Sequence, residues 1–486
     1  MFKLILPTSE EKVAITKSLK ELGCCARCIL RYLGVRDLEM YLNPQECLYD
    51  FLEEVFKNDP KWQYQKKENI CPTCLDIFED STLTTFVEGI LSTNINDYVC
   101  PNFFTSVSFP KTVLIRSHSA FIYLKEKFPS IYNDENGLEN LRKVLESHKI
   151  NKIFSTTSTL NIIFEIQYED DELEIQNIKS INHFFKKGKQ KGASRNIIMD
   201  IIDECEDSLF KKHFSVPPSM PVKQTKAHIL CVAEPLWIGG RYLKFSRDMG
   251  QTPWIINNKV MTEHCLQDIL FNAIEKILQY NTSNLTFSAS GREDSDVRML
   301  GEGRPFYIQI NNPKEMHIEF KKFREIENEI LNTRIAAVIK LQQINKTDVM
   351  LIKDGEQHKH KHYKALCHIK QCEDIDILVN KINTDNSGPI EIQQKTPLRV
   401  LHRRTQAVRS KYIYNMKAKP VPGHSNLFEI MLITQAGTYV KEFINGDFQR
   451  TQPSLSSIIK HPVDVVALDV IKIDLKWPEG ILPTNE

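Results

Sequence analysis

Apolar positions recur at helical spacing in some stretches of this chain and alternate in others, and the change of period marks its elements. Thr8 and Glu11 form a capping box ahead of Ile15, Leu19 and Leu22 at helical spacing, and Gly23 stops that run. A second short helix starts over 29–33. Strand-like runs at 103–109, 112–115 and 161–166 are then mixed with helical stretches at 138–148 and from about Asn196, an α+β pattern. Three prolines stiffen a linker over 215–221. Beyond it the spacing predicts a helix over about 262–280 that puts Leu266, Ile269, Leu270, Ala273, Ile274 and Ile277 on one face. Strands are expected at 285–289, 306–310, 349–353, 362–369, 428–434 and 465–476, with a strand pair inside 391–420. No repeat of fixed period is visible.

At 486 residues the chain exceeds one ordinary core, so two or three domains are expected. The divisions fall at 1–85, 86–215, a linker at 216–230, and 231–486. With 63 basic and 62 acidic side chains, any nucleic-acid surface must be local. The opening residues are too short and too soon interrupted by Pro7 for a signal peptide. No apolar run approaches the ~20 residues of a membrane helix. The expectation is a soluble, monomeric protein of the nucleus and cytoplasm, with its 12 cysteines as thiols or metal ligands rather than disulfides.

Four of those cysteines stand out. Cys25 and Cys28, and Cys71 and Cys74, form two C-x-x-C knuckles, each aiming two thiolates at one point, and two knuckles complete a tetrahedral zinc site. This reading makes residues 1–85 a small module stapled by structural zinc. Cys24 would spoil the knuckle spacing, and the scattered cysteines read as small core residues.

Chemistry concentrates in the second half. Arg241, Tyr242, Lys244 and Arg247 interleave basic and aromatic side chains, the mixture that holds phosphates and stacks bases. Asp294 sits on a glycine-started turn after a strand-like run, with Arg292, Arg298 and Arg304 around it to keep it ionised and to hold phosphate. Asp296, two residues on, is an alternative reactive acid. Tyr363 lies on a strand amid positive charge, and Lys441 at the end of another. Between 391 and 420, eight basic residues, Arg399, Arg403 and Arg404 among them, stand against one acid, which reads as a phosphate-tracking surface. Weaker charge runs are the acidic 165–174, read as a solvated edge or loop, and the basic 186–191. His358, His360 and His362 alternate with lysines and suggest an RNA-facing loop over a metal face. No phosphate-binding loop, dinucleotide glycine motif or nucleophile elbow is present.

These motifs name a resemblance. Gly240 to Tyr242 with Lys244 to Arg247, Gln251 to Trp254, Gly291 to Phe306, Tyr363 to Leu366, Thr396 to Arg404, and Thr434 to Arg450 resemble the catalytic domain of the Pus-ten family of tRNA pseudouridine synthases. Cys25, Cys28, Cys71 and Cys74 match that family's zinc module, and the region between resembles its RNA-binding THUMP-containing part. The resemblance implies an α+β chain ending in a synthase domain on a mixed, antiparallel-rich sheet. It further implies tRNA as partner, the two uridines opening the TΨC loop (positions fifty-four and fifty-five) as targets, and no cofactor for catalysis. By the same resemblance Asp294 is the nucleophile, and Tyr363 stacks on the target uracil or takes part in the final proton abstraction. Lys441 pairs with Asp294, and Arg292 fills the space of the flipped nucleotide or binds its phosphate. The competing class is an RNA-binding adaptor or processing factor that acts without catalysis.

Overall fold

The capping box at the start of the chain forms as read. The Glu11 amide donates to Thr8 Oγ1 at 3.3 Å and the Thr8 amide to the Glu11 carboxylate at 2.8 Å, which starts the helix Ser9–Glu21. Gly23 ends it with a φ of 82°. The computed structural model describes residues 8–35, 39–42, 69–132, 153–181 and 194–478, apart from 254, 257–258, 261–263, 356–358, 371–373, 385–387 and 403. The expected helix at 138–148 and the basic run 186–191 lie outside the described residues. So do Arg403 and His358. The chain divides into two units, Met1–Glu234 and Pro235–Glu486.

The first unit holds a sheet of four strands, β1 (Asn102–Ser108), β2 (Ile153–Phe154), β3 (Leu160–Gln167) and β4 (Lys226–Ala233), in the order β2-β1-β3-β4. β1 runs parallel to β2 and β3, and β4 closes antiparallel on β3. β4 thus takes residues that the sequence divides between linker and C-terminal domain. The stretch 112–115 is not a strand but the start of the helix Thr112–Lys127. Its β-branched residues are overruled by a tertiary cap: Asp171 accepts the Thr112 amide at 2.7 Å, and Glu174 accepts Arg116 Nε at 2.7 Å. The acidic run 165–174 is therefore in part the anionic cap of a helix. Lys111 and Lys223 take two more of its acids, Glu172 and Asp170.

The second unit is built on β5 (Leu236–Lys244), β6 (Leu285–Ala289), β7 (Val297–Ile310), β8 (Ala336–Ile344), β9 (Lys361–Ile369), β10 (Ile390–Lys395), β11 (Val408–Pro420), β12 (Leu427–Thr434), β13 (Thr451–Gln452) and β14 (Val463–Ile473). They form one sheet in the order β8-β5-β7-β14-β9-β12-β11-β10-β13, with β6 also on β7. Pairing is antiparallel except between β7 and β14. The helices Leu266–Leu278 and Phe320–Asn332 pack their apolar faces into the same core, burying Leu266, Leu270, Ile274, Phe323, Ile326 and Ile330. The stretch 349–353 is also helical, within Lys346–Gly355. Val349 and Ile352 are buried while Met350 and Leu351 are exposed, so the apolar run has a period of three rather than two, and Asp348 caps the Asn345 amide at 2.9 Å.

β7 divides the sheet. Its end, 306–310, lies between β5 and β6, whereas its start, Val297 to Met299, pairs with Leu468 to Val470 of β14. Gly301 and Gly303 sit between, with φ of 61° and 72°. A Cβ on Gly301 would fall 2.0 Å from the Ile471 carbonyl oxygen, so only glycine lets the strands approach this closely. The turn 290–296 leaves the sheet at this division. Among the described residues no helix is long and apolar enough to cross a membrane.

Candidate functional site

The turn 290–296 opens into a cleft of roughly 1210 Å³. Gly291 starts it with a φ of 79°, as the glycine in the sequence led one to expect. Asp294, Arg292, Tyr363 and Lys441 all line the cleft, so one cavity collects the four side chains assigned to catalysis. Asp294 comes from the turn, Tyr363 from β9, and Lys441 from the helix Val440–Asn445 rather than from a strand end. Seven cationic side chains line the cleft, Arg292, Lys361, Arg399, Arg404, Arg409, Lys411 and Lys441, against the acids Glu293 and Asp294. Such an excess favours a polyanionic ligand.

The expected ion pair of Lys441 and Asp294 is present in the cleft, but each has a nearer partner. Lys441 Nζ lies 2.7 and 2.8 Å from the carboxylate oxygens of Asp296 and 3.6 Å from Asp294 Oδ2. The close partner of Asp294 is Arg399, with Nη1 2.8 Å from Oδ2. Arg399 Nε also donates to the buried Glu442 at 2.6 Å, so the guanidinium is held between two carboxylates. Burial pushes Asp296 upward, but the hydrogen bonds from Lys441 hold it below the usual carboxylate range. Desolvation raises the Tyr363 phenol to about 12, so it keeps its proton at neutral pH. Arg292 is exposed and has no ion-pair partner among the described residues.

Four residues expected to touch RNA lie inside the protein instead. Arg241 is 3% exposed, and its guanidinium donates to the carbonyls of Glu302, Gly303, Leu475 and Trp477 at 2.6–2.8 Å. Arg304 and Glu293 form an ion pair at 2.8 Å with both side chains 1% exposed. The Tyr242 hydroxyl donates to Glu293 at 3.0 Å and accepts from Gln251 Nε2 at 2.7 Å, and that amide also reaches the Gly291 carbonyl at 3.0 Å. Lys244 is wholly buried. Arg247 and Arg298 remain partly exposed, but both are paired to Asp469. Sequence reasoning missed Glu293, Gln251 and Glu442. The one available signal was that so many cations beside Asp294 needed buried acceptors.

In the first unit Cys25, Cys28, Cys71 and Cys74 are buried with their sulfurs within 4.8 Å of one another. Cys25 Sγ and Cys74 Sγ are 3.6 Å apart. Sulfurs bound to zinc at ~2.3 Å in a tetrahedron lie about 3.8 Å apart, so the donor set fits a metal ion of that kind. The Cys25 amide points at Cys71 Sγ at 3.3 Å and Asp76 caps the Cys71 amide at 2.6 Å, which fixes the second knuckle from outside. Of the histidines, His362 Nε2 lies 3.1 Å from Asp474 and His360 rests against Tyr414.

The family models described as "Eukaryotic Pus10, N-terminal" and "Pus10, C-terminal" match residues 71–231 and 237–474. The tRNA pseudouridine synthase Pus10 of Xenopus laevis is 30% identical, over 97% of this chain and 99% of its own. That of Homo sapiens is also 30% identical, over 98% of this chain and 100% of its own. Among solved structures, "Crystal Structure of a Cbf5-Nop10-Gar1 Complex" is 15% identical over 48% of each chain, with a TM-score of 0.26.

Proposed function

The chain belongs to the Pus10 family of tRNA pseudouridine synthases, and from that premise we propose that it isomerises uridine in tRNA with Asp294 as nucleophile. The targets in this reading are the two uridines opening the TΨC loop. The observation that carries it is a partly exposed carboxylate, 2.8 Å from a guanidinium, in a cationic cleft beside a half-buried tyrosine. The reaction breaks the bond from uracil N1 to the anomeric carbon and forms one from C5, which then loses its proton while N1 gains one. Asp294 attacks the anomeric carbon or the ring, with Arg399 and Lys441 holding the carboxylate aimed. Tyr363 holds its proton at neutral pH, which favours stacking on the detached uracil over proton abstraction. Arg292, exposed and without an ion-pair partner, binds phosphate or occupies the space of the flipped nucleotide.

The first unit contributes RNA contact in this reading. Its four cysteines hold zinc, which stabilises the fold and takes no part in the chemistry. The protein works as a monomer in nucleus and cytoplasm. The test is pseudouridine mapping on an unmodified tRNA transcript, with Asp294→Ala in parallel and zinc content measured on the same preparation. New pseudouridine in the TΨC loop, absent with the variant, supports the proposal. RNA binding without product from the native chain overturns it and favours the adaptor reading.

A further inference from the structure

Lys244 ends β5 with its side chain 0% exposed, out of reach of any phosphate. Its ammonium donates to three backbone carbonyls: Met249 at 2.8 Å, Asp294 at 3.1 Å and Ser295 at 2.7 Å. Among the described residues no carboxylate lies within ion-pair distance of it. Arg247, three residues on, donates to the next carbonyl of the same turn, Asp296, at 3.1 Å. Two cations on one short segment thus take three successive carbonyls of the turn that carries Asp294. The Asp294 carbonyl also accepts the Val297 amide at 3.1 Å, which ties the turn to β7.

Holding an ammonium inside the protein is costly, and the three carbonyls it satisfies offset that cost. Desolvation draws Lys244 down to about 8, opposed by the charges of Glu293, Asp296 and Asp294 and assisted by Arg247. What the ammonium does supply is orientation. Three donors meet three carbonyls, which sets the peptide planes after Asp294 and Ser295 and with them the direction in which the Asp294 side chain leaves the turn.

We infer that Lys244 is a positioning residue: it locks the Asp294 turn from beneath so that the carboxylate meets the ribose or uracil at attack geometry, without touching RNA. This rests on Asp294 being the nucleophile. A misplacement of ~1 Å at a reacting group costs roughly 10²-fold in rate. Lys244→Met should therefore lower kcat by about that factor while KM and the Kd for unmodified tRNA stay within about twofold. Lys244→Gln, which keeps an amide donor, should recover part of the loss and serves where the methionine variant does not fold. Asp294→Asn is run alongside, and activity in that variant sinks the premise whatever Lys244 does. With Asp294→Asn inactive, full activity of both Lys244 variants overturns the positioning role. So does a rise in Kd with kcat unchanged, which would return Lys244 to RNA contact. Failure of both variants to fold also overturns it, since the lysine then serves the fold alone.

Discussion

Removing the charge of Glu293 should destabilise the second unit severely while leaving its shape unaltered. Glu293 and Arg304 are each 1% exposed and 2.8 Å apart, and Tyr242 donates to both carboxylate oxygens at 3.0 Å. Glu293→Gln keeps the volume but leaves the guanidinium buried without a counter-ion. The Ser290 carbonyl, 2.8 Å from Arg304 Nη1, is a dipole and cannot replace a full charge. Breaking one side of a buried pair costs ~3–5 kcal/mol. At roughly 2–4 °C per kcal/mol for a large domain, the melting temperature should fall by about 6–20 °C. Thermal unfolding of the full chain followed by circular dichroism reads this directly. Glu293→Leu combined with Arg304→Met removes both charges, and should cost less than Glu293→Gln alone because no orphan charge remains. A fall below about 3 °C for the single variant, or a double variant no more stable than the single, would refute the reasoning.

Gly301→Ala should cost more than ~3 kcal/mol in urea unfolding, because the φ of 61° and the Ile471 carbonyl at 2.0 Å from the new Cβ leave nowhere to relax. Arg399→Met should lower kcat at least about tenfold and by more than Lys441→Met does, since Arg399 is the closer cation to Asp294, 2.8 Å against 3.6 Å. Steady-state kinetics with saturating tRNA separate the two, and the opposite order would make Lys441 the principal partner of Asp294, as the resemblance implies. Asp469 is pushed up by burial, yet hydrogen bonding from Arg298 and the charge of Arg247 hold it below the ordinary carboxylate range. Its stabilisation is thus present above about pH 4 and lost as pH falls through the lower folded value. Asp469→Asn should cost about 1–2 kcal/mol at pH 7, the arginines being a third exposed, and the difference from the native chain should vanish near pH 2. A gap that persists there would point to packing rather than charge.

Periodicity located the elements where local preference and tertiary demand agree. The helix Leu266–Leu278, the strands β9 and β12 and the turn after Gly291 were legible because their patterns recur over several residues. The runs 112–115 and 349–353 were not, because each is a short apolar string whose cap comes from an acid the string does not contain or is read by a period its length barely samples. Burial was the harder quantity. Arg241, Lys244 and Arg304 have the composition of a phosphate surface, and nothing in their spacing says that their charges are met by carbonyls and by Glu293 within the fold. For the same reason the residue types and the resemblance assigned Asp294, Tyr363 and Lys441 to one site but could not show which cation lies nearest the carboxylate.

The division of β7 bears on how the cleft can move. Strand pairs flank both ends of β7, and the stretch between them is set by two glycines at positive φ, each seated against a neighbouring carbonyl. A hinge requires dihedrals free to rotate, and here rotation would rupture ladder hydrogen bonds on β5, β6 or β14. The jaws of the cavity are therefore fixed by main chain. Accommodation of a bulky RNA falls to the exposed side chains along its rim, Arg292 and Arg404 among them. A crystal form with nucleic acid bound should superpose on the sheet described here and differ from it in that rim.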